Sequence, residues 1–320
     1  MTSEVGVLQA QDSGQLSGEA KTQNDGNDTM SAVAGETRRR LEAMIPPVHR
    51  RLRQSGLAAE LRPDDVGGAG FTLYIGGEQQ SHVFTGDPRE LRFDYLRRIA
   101  NLAGLLAPAG MALRVLHLGG GALTLARHLA LERPGSPQTV IEYESDLFDF
   151  VTEVVPLPGG TNLRVIIADA RDGLERASGA GGYDLIVADV YLGSTTPAHL
   201  TSVEFYSEVA ALLAPGGVLA VNVADDRGLP VARAAAATLA EVFPTVLVVG
   251  AAGLTEQLDE GNAVLFASRW RGLASLQTGL QAAGPHPSGL VGADRLSAFI
   301  GDARPVRDST PYRRAPDARG

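Results

Sequence analysis

The spacing of apolar positions changes twice along this chain. Between residues 58 and 84 short runs alternate with polar residues, at Ala58–Arg62, Phe71–Ile75 and Ser81–Phe84, punctuated by Gly67-Gly68 and Gly76-Gly77. Such alternation predicts a small antiparallel β unit. From Arg89 to Leu106 the period lengthens, placing Leu91, Tyr95, Ile99 and Leu102 on one face of a helix opened by Asp87-Pro88. Beyond Leu113, continuous apolar runs alternate with helical stretches, the runs lying at 113–118, 138–142, 163–168, 184–189, 218–223 and 245–249. Strands with no polar alternation, separated by helices, form a parallel sheet covered on both faces. A last run, Ala263–Ala267, follows the turn Asp259–Asn262 instead of a helix and is expected to return antiparallel.

The ends of the chain lack this order. Residues 1–35 are rich in Ser, Gly, Gln, Asp, Asn and Thr without a periodic apolar face, which reads as a disordered tail. Thr37–Met44 reads as a short helix stopped by Pro46-Pro47. The organisation expected is a tail at 1–35, a β-rich subdomain at 36–86, an α/β ligand-binding domain at 87–270 and a C-terminal region at 271–320. That last region reads as a short helix or two followed by a mobile Pro/Arg-rich tail.

Composition narrows the chemistry more than the fold. The 320 residues carry a net charge of −9 with no basic patch, which argues against a nucleic-acid partner. No apolar run approaches the roughly 18 residues of a membrane helix, and no charged-then-apolar leader opens the chain. A soluble, cytoplasmic protein with no membrane partner is expected. Cysteine is absent, which removes disulfides, thiol nucleophiles and thiolate metal sites. No metal site is expected.

Ligands of open α/β sheets bind outside the carboxyl ends of the strands, so the residues at those tips carry the functional reading. The first strand ends at Gly119-Gly120-Gly121, where glycines permit a sharp turn and leave backbone N–H groups open to a ligand. The second ends at Glu142, 21 residues after Gly121, a spacing suited to an acid on a ribose diol. The third ends at Asp169-Ala170 and the fourth at Asp189. Taken singly, the glycines make an ordinary turn, and Glu142, Glu144, Asp169 or Asp189 could cap a turn or helix. Together they compose a site for a nucleoside-bearing, cationic ligand. A dinucleotide fits less well, because its third glycine position is occupied by Thr124.

The chain from about 70 to 270 resembles the spermidine synthase (polyamine aminopropyltransferase) family. Leu73-Tyr74-Ile75-Gly76-Gly77-Glu78-Gln79-Gln80 is similar to the family's strand, glycine turn and ligand-contacting glutamine, which falls on Gln80. Phe93-Asp94-Tyr95 resembles its aromatic-x-Tyr motif and places Tyr95 at the substrate. Tyr183 to Asp189 resembles the fourth-strand motif that ends in the catalytic aspartate; Pro197-Ala198, Glu204-Phe205-Tyr206 and Leu213 to Gly217 continue the pattern.

The resemblance implies an α/β fold: a class I methyltransferase-like Rossmann domain with a mostly parallel seven-stranded sheet, preceded by a small antiparallel β subdomain. It also implies S-adenosylmethionine or its decarboxylated form as co-substrate, Glu142 on the ribose, Asp169 and Ala170 on the adenine side, and a homodimer. Asp189 would attract an acceptor ammonium and take its proton before the amine attacks the carbon next to the sulfonium. Tyr191 and His199 follow Asp189 and are candidates for acceptor contacts; Tyr206 and Asp225-Asp226 could line the same pocket or serve packing and turns.

Three departures set the chain apart. Family synthases carry an aspartate after the glycine turn where Ala122 stands, and a second acid where Leu192 stands. They often carry histidine or glutamine where Leu96 stands. Each lost charge-assisted hydrogen bond is worth about 1.5–3 kcal/mol, so losing two would weaken diamine binding by roughly two to four decades. The expected function is aminopropyl transfer to an amine in polyamine biosynthesis, the partner being that amine or another small nucleophile. The alternatives are an S-adenosylmethionine-dependent methyltransferase, since Ala122 tolerates the methionine carboxylate, and a non-catalytic nucleoside-binding scaffold.

Overall fold

The computed structural model describes residues 47–64, 70–179, 181–191 and 195–310. The expected tail at 1–35, the helix at 37–44, Leu192 and residues 311–320 lie outside the described residues.

Four strands open the described chain: β1 (Val48–Arg51), β2 (Ala58–Pro63), β3 (Gly70–Ile75) and β4 (Glu78–Phe84). They form an antiparallel meander in chain order. Gly76 and Gly77, with φ of 62° and 88°, make the two-residue turn between β3 and β4, both positions being left-handed as a tight hairpin requires. Helix α1 (Asp94–Leu106) follows and buries Leu96, Ile99, Leu102 and Ala103. It begins five residues later than the apolar spacing suggests, because Pro88 and Arg89 form a turn in which Arg89 folds back on Asp87, and residues 90–93 follow without helical structure.

The second sheet alternates strand and helix: β5 (Val115–Leu118), α2 (Thr124–Glu132), β6 (Gln138–Glu142), α3 (Ser145–Val154), β7 (Leu163–Ile167) and α4 (Leu174–Ala177). It continues with β8 (Tyr183–Ala188), α5 (Val203–Ala211), β9 (Leu213–Asp225), α6 (Pro230–Val242), β10 (Thr245–Ala251) and α7 (Ala252–Gln257). β11 (Gly261–Ser268), α8 (Gln277–Ala283), β12 (Ser288–Val291) and α9 (Leu296–Ile300) complete it. The strand order is β12-β10-β11-β9-β8-β5-β6-β7. From β7 to β9 every pair is parallel; β11 runs antiparallel between β9 and β10, as its preceding turn predicts.

The sheet has eight strands among the described residues, not seven. The extra one, β12, pairs antiparallel with β10 at the edge. Ser288-Gly289-Leu290-Val291 is too short and too glycine-rich to stand out as an apolar run. Two apolar layers cover the sheet: Leu116, Ile186, Leu219 and Leu265 face one side, and Val115, Leu185, Val218 and Val264 the other. Where the sequence suggests a mobile tail, residues 306–308 are tied to α5 and α6. Val203 N–H donates to Val306 O at 2.9 Å, Val306 N–H to Thr238 Oγ1 at 2.9 Å and Asp308 N–H to Glu204 Oε2 at 3.0 Å. Among the described residues no helix is long and apolar enough to cross a membrane.

Candidate functional site

Strand order reverses at β5, with β6 on one side and β8 on the other, and the crevice beyond their carboxyl ends is where an open α/β sheet holds its ligand. A cavity of about 660 Å³ lies there. Gln80, Tyr95, Gly119, Gly120, Gly121, Glu142, Asp169, Ala170, Asp189, Tyr191 and His199 all line it. The structure therefore brings these eleven residues to one cavity, while Tyr206, Asp225 and Asp226 do not line it.

The glycine turn earns its composition from backbone crowding. Gly119 has a φ of 88°, and a Cβ there would collide with the carbonyl oxygen of Asp189. Gly120 donates its N–H to Glu142 Oε2 at 2.8 Å, which fixes the acid over the turn. Glu142 Oε1 accepts from Glu144 N–H at 2.9 Å. Burial pushes the Glu142 carboxyl above its ordinary range, and these backbone donors oppose that shift.

Around Glu142 the remaining acids are equally engaged. Glu144 accepts the backbone N–H of Gln54 at 3.1 Å and of Ser55 at 2.7 Å, so it holds the β1–β2 turn at the cavity. Asp169 Oδ1 accepts from Arg171 N–H at 2.9 Å, and Asp169 Oδ2 meets His199 Nε2 at 2.8 Å. The sequence places His199 near an acceptor; the structure sets it on Asp169, at the other end. Arg171 reinforces that corner by binding Glu208 and Asp308 and donating to His199 O.

Asp189 sits half-buried at the tip of β8. Its Oδ1 accepts from Asn222 Nδ2 at 2.8 Å, and the Tyr95 hydroxyl donates to the same carboxylate. Burial raises the Asp189 carboxyl, while the Asn222 and Tyr95 hydrogen bonds act to lower it. Tyr95 is pushed well above the usual tyrosine range, first by burial and then by the adjacent carboxylate, so it remains a hydroxyl donor. Tyr191 donates its hydroxyl to Asn222 O at 3.2 Å and accepts from Ala224 N–H at 2.8 Å, which anchors the strand tip. His117, buried against Gln138, is held to about 4 and is neutral near pH 7. Gln138 donates its amide to Ala126 O, so its oxygen accepts the His117 Nε2–H.

One position departs from its sequence reading, and two left open there prove structural. Ala122 is fully buried and faces Leu61, Leu73, Phe150 and Val151 in the cluster beneath the small sheet, not the cavity. The reversal of the chain at Gly121 (φ 50°) and Leu123 (φ 59°) turns its side chain away. Asp225 accepts Ala232 N–H at 2.7 Å at the start of α6 and so stabilises a helix terminus, and Tyr206 is core. Sequence reasoning missed Asn222, the single polar residue within Val218–Val223, whose signal was an amide in an otherwise apolar strand. It also left open the structural duty of Glu144.

No family model matches the chain. Over 147 residues it is 33% identical to an N-terminal histidine N-methyltransferase of Emericella nidulans, covering 45% of this chain and 26% of that protein. Over 144 residues it is 34% identical to a probable polyamine aminopropyl transferase of Bifidobacterium longum, covering 43% of this chain and 31% of that protein. The chain thus spans about a quarter to a third of the length of these curated relatives. Its fold superposes on a probable spermidine synthase from Corynebacterium glutamicum with a TM-score of 0.72 and 29% identity, covering 84% of this chain and 99% of that one.

Proposed function

We propose that this divergent spermidine synthase-like chain, with its class I methyltransferase-like fold, is a transferase acting on an S-adenosyl donor. In this reading it moves an aminopropyl group from decarboxylated S-adenosylmethionine to an amine. The observation that carries it is Asp189, a carboxylate at the strand tip with Tyr95 and Asn222 donating to it and its remaining lone pairs open to the cavity. Glu142 and the Gly119–Gly121 turn would take the ribose and the chain beyond the sulfonium, and Asp169 with Ala170 the adenine.

The chemistry asked of Asp189 is modest and specific. An acceptor amine arrives as an ammonium, whose charge the carboxylate attracts; the carboxylate then takes the proton, leaving a lone pair to attack the electrophilic carbon next to sulfur. The neutral thioether departs. Burial lifts the basicity of Asp189 toward what proton abstraction requires. Tyr95 and Asn222 keep enough of it ionised to bind the cation.

A second reading is methyl transfer from S-adenosylmethionine: Ser81, Leu123 and Thr124, which line the cavity beside the glycine turn, carry no charge that would repel the methionine carboxylate. The similarity to a histidine N-methyltransferase is in keeping with it. Incubation with each donor and a panel of amines separates the two: methylthioadenosine marks aminopropyl transfer, and S-adenosylhomocysteine marks methyl transfer. Neither product with either donor would overturn the transferase reading and leave the scaffold.

A further inference from the structure

We propose that Asn222, oriented by Asn262, is a positioning residue that keeps Asp189 ionised and fixes which of its oxygens faces the acceptor. The inference rests on the reading of Asp189 as proton acceptor and extends it to two residues that no motif marks.

The geometry is a relay across three strands. Asn222 Nδ2 donates to Asp189 Oδ1 at 2.8 Å, and Asn262 Nδ2 donates to Asn222 Oδ1 at 3.1 Å. An ionised carboxylate can only accept, so the Asn222 amide must turn its NH2 toward Asp189 and its oxygen away. That oxygen, in a residue only 5% exposed, would then need a donor, and Asn262 supplies it from β11. Each contact makes the next one unambiguous. Without Asn262, the Asn222 amide could flip and present its oxygen to the carboxylate, favouring a protonated Asp189.

The antiparallel return of β11 makes this possible. It lies against β9, pairing Val264 with Asn222 and Asn262 with Ala224, which brings Asn262 within reach of a residue 40 positions earlier. Asn222 is also held from the other side, since Tyr191 donates to its backbone oxygen. Among the described residues, the titratable groups facing Asp189 are Tyr95 on α1 and Tyr191 on its own loop; His117 on β5 lines the same cavity in its neutral form. None of them is cationic near neutral pH. The donors that hold the negative charge are thus Tyr95 and the Asn222 relay, and the latter opposes the effect of burial.

The test reads the ionisation of Asp189 directly, by carbon-13 NMR of the side-chain carboxyls in the ligand-free protein, with the Asp189 signal identified by its loss in Asp189→Asn. In Asn222→Leu the midpoint is expected to rise by about one pH unit, a tenfold change in proton affinity. In Asn262→Ala it is expected to rise less. Because no donor or acceptor is present, this result is independent of whether the chain transfers an aminopropyl group, a methyl group or nothing. If the protein does turn over, the acid limb of its rate–pH profile moves with the NMR midpoint, which a purely structural role would leave in place. An unchanged or lowered midpoint in both folded variants overturns the proposal. Should Asn222→Leu fail to fold, Asn262→Ala at its exposed position decides alone: a rise supports the relay and an unmoved midpoint refutes it.

Discussion

The two ends of the cavity use the same residue type in opposite ways. Beneath β6 and β7 the acids are engaged by the protein itself: Glu142 by two backbone N–H groups, Glu144 by the Gln54 and Ser55 amides, Asp169 by Arg171 and His199. At the tip of β8, Asp189 is held by two uncharged donors with no cation against it among the described residues, and burial raises its basicity. The difference teaches that a carboxylate at a strand tip is not in itself a catalytic group. Acids fully partnered by N–H donors shape a rigid cradle. An acid with neutral partners and open lone pairs is the one free to exchange a proton.

The sharpest way to break this comparison is Asp189→Asn. Transfer is expected to fall by about 10²–10⁴-fold, the usual share of a general base. The same substitution is expected to stabilise the ligand-free protein at neutral pH. Burial raises the folded-state value for Asp189, so the protonated form favours folding. That contribution is complete below the unfolded value and lost as pH rises through the folded one. Asparagine avoids the loss, so the variant melts higher at pH 8, by about 2–4 °C for each kcal/mol relieved, and matches the wild type near pH 3.

Next in size is Ala122→Asp, which puts a carboxylate among Leu61, Leu73 and Phe150. Urea denaturation should show a loss of about 3 kcal/mol or more, as for an unpaired buried charge. A variant that folds normally and gains turnover with the decarboxylated donor would instead show that position 122 reaches the cavity. Glu142→Gln is expected to weaken donor binding about tenfold by calorimetry, close to 1.4 kcal/mol, since the amide cannot accept from both Gly120 and Glu144 through two oxygens. His199→Ala should matter least. Its side chain is 50% exposed, so losing the Asp169 contact costs below about 1 kcal/mol, visible as a small drop in Tm.

Much of this architecture is written in local pattern. Apolar runs place β5, β6, β7, β8 and β10 to within two residues, because a strand buried on both faces leaves no polar alternation to misread, whereas β9 begins five residues before its apolar run, at Leu213. The tips follow at once, and with them Gly119, Glu142, Asp169 and Asp189. What local pattern does not carry is the direction of a side chain after a tight turn, which is why position 122 matches the family's aspartate in sequence while its side chain lies in the core. Nor does it carry pairing across strands. Asn222 and Asn262 meet only because β11 returns beside β9, and His199 reaches Asp169 only because the 195–200 segment folds back over β7's tip. The eighth strand was hidden by its length, four residues with a glycine.

One measurement bears most directly on the separation of the two ends: donor affinity and turnover compared in wild type and Asp189→Asn on the same preparation. The expected result is a donor dissociation constant within about twofold of wild type, with transfer to the amine reduced a hundredfold or more. Wild-type turnover in the variant, or a loss of donor binding as large as the loss of turnover, would contradict the assignment of Asp189 to the reacting end.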